Sequence, residues 1–167
     1  MKKTLYTLAL ALLVLTSCND SDYELDKIVP QEYHKIMVLK NSGKHTVDVQ
    51  NGDATVDFTV LKSGSDPSLT ASVQVRTLTD AELNDEYSEL ENVNYRQLPA
   101  DCYQLSATTI DFASADRYKT VSVTLHSQQI KAKMQEDASA TWTLPLKIES
   151  ANDSINADAN QYFIIVK

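Results

Sequence analysis

Five carboxylates crowd one short stretch, Asp80, Glu82, Asp85, Glu86 and Glu89. Glycoside hydrolysis needs two carboxyl groups at a set separation, so this cluster is the first candidate for chemistry. Asp80 and Glu82, however, fall in what reads as a first helical turn, where negative charge favours the helix dipole. The others lie off the apolar stripe and are expected to face water. Cys102 is the next candidate, as a nucleophile. A reactive thiolate needs a base or another cationic neighbour, and His34, His45 and His126 are all distant in sequence. Cys102 beside Tyr103 on an apolar strand therefore reads as a small core residue. The same isolated histidines and single Cys102 give no zinc spacing. The three glycines, Gly43, Gly52 and Gly64, each sit in a turn, so there is no phosphate loop. A Gly-x-Ser-x-Gly elbow is absent as well. The reading is of a non-enzymatic chain, with no catalytic, metal-ligating or cofactor-binding residues and no cofactor.

Sugar binding asks for aromatic platforms with amides and carboxylates around them. Trp142 is the single tryptophan, and its alternation with Leu144, Leu146 and Ile148 places it inward. Tyr87 belongs to a helix stripe, Tyr95 and Tyr103 fall in structural motifs quoted below, and Tyr23, Tyr33, Tyr118 and Tyr162 are not assigned. Asn152 to Asn160 is a polar stretch rich in acceptors, read as a long inter-strand turn. Within it, Asp153-Ser154-Ile155 resembles the O-glycosylation motif of Bacteroidetes, which makes Ser154 a modification candidate.

The clearest chemistry is at Cys18. Lys2 and Lys3 precede an apolar run from Leu5 to Leu15, and Leu15-Thr16-Ser17-Cys18 follows. The run matches a secretory leader and is too short to span a bilayer, which needs about twenty residues. The tetrapeptide resembles a bacterial lipobox, which implies removal of residues 1–17 and acylation of Cys18. A single acyl chain binds membranes only marginally, whereas multiple chains hold permanently. The alternative is an ordinary leader with an incidental cysteine. Asn19 to Asp26 is acidic and is similar to the surface-export signal of Bacteroidetes lipoproteins. It lacks the glycine and the distal bidentate glutamate of a calcium loop, so it reads as part of a tether over residues 18–33.

Composition narrows the partners. The whole chain has 15 basic and 23 acidic residues, for a net charge of −8, and loss of Lys2 and Lys3 makes the remainder more acidic. Phosphate backbones would be repelled, so nucleic acid is excluded as a partner. About 150 residues remain after the leader, enough for one domain with a sizeable core. Cys102 alone cannot form a disulfide within that domain.

Residues 34–167 must supply the framework. Lys35–Lys40, His45–Gln50, Thr55–Lys62, Thr70–Thr77, Cys102–Ser106, Thr109–Phe112, Lys119–His126, Thr141–Glu149 and Tyr162–Val166 read as strands. Val56, Phe58 and Val60 alternate with polar residues, as do Ala71, Val73 and Val75, and Val121, Val123 and Leu125. Asn41-Ser42-Gly43-Lys44 is a turn signal. Asn51-Gly52 before Thr55 is the strongest short hairpin signal. Thr79 and Glu82 form a capping box, and Leu78 with Leu83 a hydrophobic staple, for a helix over 79–91. Leu83, Tyr87 and Leu90 would form its apolar stripe. A weaker helix is predicted over 128–135. Short strands joined by polar turns predict a mainly β fold, an antiparallel Ig-like sandwich with one short crossover helix.

Asn94-Tyr95-Arg96-Gln97-Leu98-Pro99, Tyr103-Gln104-Leu105-Ser106, Thr109-Ile110-Asp111-Phe112 and Leu144-Pro145-Leu146-Lys147-Ile148-Glu149-Ser150 carry a resemblance. Together they resemble a Bacteroidetes domain family of unknown function, the Ig-like module that opens many surface lipoproteins. The resemblance spans about Tyr33 to Lys167. It implies an outer-membrane, cell-surface lipoprotein that accompanies glycan binding or utilisation. The implied partners are the membrane through Cys18 and a glycan or a glycan-uptake complex. A structural spacer or docking domain for another envelope protein is the alternative. The family transfers no catalytic residues.

Overall fold

The computed structural model describes residues 28–167. The leader 1–17, Cys18 and the acidic run through Asp26 lie outside them. The described chain forms β1 (Ile36–Lys40), β2 (Gly43–Val47), β3 (Ala54–Ser63) and β4 (Ala71–Thr77). A helical segment α1 follows, with α-turns at Asp80–Leu83 and Glu89–Glu91 around a π-helical stretch, Asn84–Ser88. Next come β5 (Tyr95–Gln97), β6 (Tyr103–Leu105), β7 (Thr109–Phe112), β8 (Tyr118–Leu125) and helix α2 (Ser127–Glu136). β9 (Thr141–Glu149), β10 (Ser154–Ile155) and β11 (Gln161–Val166) complete the order.

Two sheets face each other, in strand orders β10-β1-β3-β8-β6 and β2-β11-β9-β4-β7, with β5 beside β9. The two-residue side-chain period does what the alternation predicts. Phe58 and Val60, Val73 and Val75, and Val121, Val123 and Leu125 are all buried between the sheets. The result is the expected β-sandwich. Its central pairings, such as β3 with β8 and β9 with β11, are antiparallel. Three pairings are parallel: β1 with β10, β2 with β11, and β5 with β9. Each of these brings a short strand to a sheet margin, a detail the antiparallel expectation does not contain.

Neither turn signal joins paired strands. β1 and β2 belong to different sheets, and so do β2 and β3. Asn41 (φ 57°) and Gly43 (φ 105°) turn the chain from one sheet to the other, and Asn51-Gly52 lies on the way back. The positive φ at Gly52 is what the dipeptide predicts, but the hairpin it also predicts does not form. β2 instead pairs with the distant β11, from Gly43 opposite Tyr162 to Val47 opposite Val166.

Thr143, Leu144, Pro145 and Leu146 are buried consecutively on β9. One face of that strand meets the opposite sheet and the other lies under α1. Leu78, Leu83 and Phe163 are buried there, and Tyr87 and Tyr95 pack on Phe163 at centroid distances of 4.3 and 5.2 Å. The capping box that starts α1 is present: Glu82 N donates to Thr79 Oγ1 (3.2 Å) and Thr79 N donates to Glu82 Oε2 (2.8 Å). The expected stripe breaks at Leu90, which is 78% exposed. The π-helical stretch inserts extra chain into the turn, so the last turn rotates and Leu90 swings out. α2 forms over Ser127–Glu136, close to its expected span, and buries Ile130.

Candidate functional site

The sandwich has two open ends. At the end where β4 stops and β9 starts, a groove of about 840 Å³ runs along β5 between α1 and the last turns of α2. β5 exists because Thr141 N reaches Asn94 O (2.8 Å) and Leu98 N reaches Thr143 O (2.8 Å), which hold Tyr95–Gln97 beside β9. The Asn94–Pro99 motif therefore forms one wall of the groove. Asn84 and Ser88 come from the π-helical stretch, Asn92 from the left-handed residue that ends α1 (φ 53°), and Lys133 and Glu136 from α2.

Trp142 faces inward from β9 as its alternation predicts, packs against the core and also lines this groove. Trp142 Nε1 and Gln97 Oε1 are covered from solvent and have no hydrogen-bond partner among the described residues. Covered polar atoms without partners are uncommon in folded proteins and call for a water or a ligand. The remaining lining is amide, hydroxyl, carboxylate and cation, with Tyr95 and Trp142 as the aromatic surfaces. Such a lining can hydrogen-bond and stack on a neutral polyhydroxylated molecule.

The carboxylates of α1 do not form an acid–base pair. Glu82 accepts two bonds from the Arg76 guanidinium (2.8 and 2.7 Å), and Arg76 also donates to Glu149 (2.8 Å). The Arg76 guanidinium, and then the Thr79 amide, hold Glu82 well below the usual carboxylate range. A general acid needs the opposite displacement. Glu86 lies 3.6 Å from Lys147 Nζ, Glu89 accepts from Asn84 Nδ2 (2.6 Å), and Glu91 pairs with Lys44. Part of the predicted water-facing helix surface is thus tied by charge to the sheet beneath it. The Lys44 ammonium also lies 5.2, 5.0 and 5.4 Å from the ring centroids of Tyr87, Tyr95 and Phe163, which fastens the edge strand β2 to α1.

Cys102 is fully buried. Burial, then the Asp101 charge, pushes its thiol up to about 11, the behaviour of a packing residue. The three histidines stay apart. His34 Nε2 is 2.9 Å from Val29 O, His45 Nε2 is 2.7 Å from Asn41 O, and His126 Nδ1 is 3.4 Å from Asp53 Oδ2. Among the described residues no cluster of three or more metal-ligating side chains occurs, and no helix is long and apolar enough to cross a membrane. Ser154 lies on β10 at a sheet margin, half-buried. Its neighbour Asp153 accepts from Ser72 N (2.9 Å) and carries Lys35 Nζ on Oδ1 (2.5 Å).

One feature has no counterpart in the expectations. Lys62 is 3% exposed, and its ammonium donates to Leu69 O (2.8 Å) and Ala113 O (2.7 Å). It continues the inward series Phe58, Val60, so the period of β3 places it inside. Only its residue type argues otherwise.

The fold and groove define an Ig-like β-sandwich with a polar recess at one end. A family model described as "-like, N-terminal domain" matches residues 16–155, and the chain belongs to that N-terminal-domain family. No curated protein matches the sequence. Among solved structures, a candidate carbohydrate-binding protein from Bacteroides ovatus superposes with a TM-score of 0.62 at 20% identity. The alignment covers 78% of this chain and 36% of that one. A Bacteroides ovatus protein of unknown function gives a TM-score of 0.57 at 16% identity, over 83% and 46% of the two chains. EndoBT-3987 from Bacteroides thetaiotaomicron, solved with a Man5GlcNAc product, gives 0.56 at 17% identity, over 74% and 28%. These likenesses establish a shared fold. The chain spans less than half the length of each of the three.

Proposed function

We propose that the protein is a lipid-anchored, cell-surface accessory module that captures glycan without turning it over. Cys18 is the anchor in this reading, and the bound saccharide lies in the groove along β5. The observation that carries it is the recess itself, with Trp142 and Tyr95 among amides and charged groups. The likeness to a candidate carbohydrate-binding protein of Bacteroides ovatus supports the same reading. So do Glu82, Glu86 and Glu91 of α1, which lie against cations.

Affinity electrophoresis in polysaccharide gels tests the proposal. Retardation by at least one glycan is expected, and Arg96→Ala together with Asn94→Ala should abolish it. Both side chains are exposed, so the double variant should keep its melting temperature. No retardation across a broad glycan panel would count against capture, and release of product from any glycan would overturn the non-enzymatic reading. The second reading, a docking domain, is favoured by β7, which pairs only with β4 and leaves an open sheet edge. A stable envelope protein that co-purifies, and is lost when a proline replaces Thr109 or Asp111, would decide for it.

A further inference from the structure

The opposite end of the sandwich carries exposed apolar side chains. Ile28, Tyr33, Leu69 and Tyr118 are 61%, 53%, 39% and 66% exposed, and the other large apolar residue in this condition among the described residues, Leu90, lies on α1 at the groove end. Strand register brings the four together. Ile36 is opposite Ser63, and Leu61 is opposite Tyr118. The entry to β1, the loop after β3 and the start of β8 therefore share one end.

These residues stand on a braced base. Ser65 N donates to Tyr33 O (3.0 Å) and Asp66 N to His34 O (2.8 Å). The exposed Arg117 guanidinium donates to Pro67 O and Ser114 O, both at 2.8 Å, and Lys62 ties Leu69 O to Ala113 O from below. The loops cannot fold their apolar side chains inward without losing those bonds. Side chains with an apolar body and a polar tip, such as tyrosine, suit a boundary between hydrocarbon and water.

The chain enters at this same end. Ile28 follows Cys18 by about ten residues, a span of at most ~35 Å when fully extended. We propose that this end rests on the lipid surface that holds the acylated Cys18, with Ile28, Tyr33, Leu69 and Tyr118 at the headgroup boundary and the groove pointing away. The inference rests on the lipid-anchor reading above. Four side chains would not hold a protein on a bilayer alone. A short tether raises their effective concentration at the surface, so weak contacts suffice to set orientation.

The test uses the full acylated chain in phosphatidylethanolamine–phosphatidylglycerol vesicles that contain brominated phospholipid, a quencher confined to the bilayer. Trp142 is the only tryptophan and sits at the far end. The unsubstituted chain should keep its emission, while Tyr118→Trp and Tyr33→Trp, each retaining Trp142, should lose about half, the share of a residue seated at the lipid boundary. Both sites are exposed, so the two variants are expected to fold, and agreement between them guards against a local artefact. A chain that floats with the vesicles but shows no added quenching in either variant would overturn the contact and leave the anchor standing. Quenching of Trp142 itself would also overturn it. A chain that fails to float would remove the anchor, and the contact with it.

Discussion

The two ends of this sandwich are finished by opposite means. At the groove end, helices do the work: α1 lays Leu83 and Tyr87 over Phe163, and α2 inserts Ile130. At the entry end, among the described residues, there is no helix of comparable length, and loops are cross-braced by Lys62 and Arg117 through backbone carbonyls. The helix-capped end buries most of its apolar residues, Leu90 excepted, and presents polar ones. The loop-capped end uses one cation inside, Lys62, and another at the surface, Arg117, and leaves apolar residues outside. A helix satisfies its own backbone, so it can spend its side chains on packing. A loop cannot, so side chains must satisfy the carbonyls, and fewer remain to cover the surface.

That contrast can be broken at either end. The largest effect is expected from Phe163→Ala, which removes the floor beneath α1 and should cost about 3–5 kcal/mol, read as a lower urea midpoint. If the groove depends on that floor, glycan retardation should fall even at temperatures where the variant stays folded. Next comes Lys62→Met. It leaves the Leu69 carbonyl without a donor and Ala113 O with the Asp116 amide alone, at about 1–3 kcal/mol for a buried polar group left unpaired. Faster hydrogen exchange should follow at residues 64–69 and spare α1.

Lys62 also predicts a pH signature. Burial, and then Arg117, lowers its ammonium below the ordinary lysine value of 10.5. Between that lowered value and 10.5 the unfolded chain binds more protons than the folded one, so this group makes stability rise with pH across the window. Below the window its contribution is a constant penalty. The rise should be missing from Lys62→Met, measured by urea unfolding across the alkaline range. The smallest effect is expected from Thr79→Ala, about 1 kcal/mol for a lost helix cap, with exchange rising in α1 and not in the 64–69 loop. Equal loosening at both ends would mean that the two caps are not independent.

Much of the framework was legible along the chain because it is local. Strand alternation found the buried faces of β3, β4 and β8, and the capping box placed the start of α1 to within a residue. Pairing was not legible in the same way. Asn51-Gly52 specifies a backbone conformation but not a partner, and β2 found its partner in β11, more than a hundred residues on. The departure of Leu90 depends on a π-helical turn that no heptad count contains. The groove was half legible: Trp142 could be placed on its face, but its neighbours Asn84, Asn94 and Lys133 meet it only through the closure of α1, β5 and α2. Lys62 was readable from its position on β3 and hidden by the general preference of lysine for water.

The place of β11 between β2 and β9 has a consequence for biosynthesis. The last strand in chain order is an interior member of its sheet, so a nascent polypeptide still missing it would hold two separated fragments with a vacant slot between them. Assembly of that layer must await β11, and contacts of such long sequence separation are formed slowly. A chain cut short before residue 161 should therefore be protease-sensitive, and one that includes Gln161–Val166 should resist the protease.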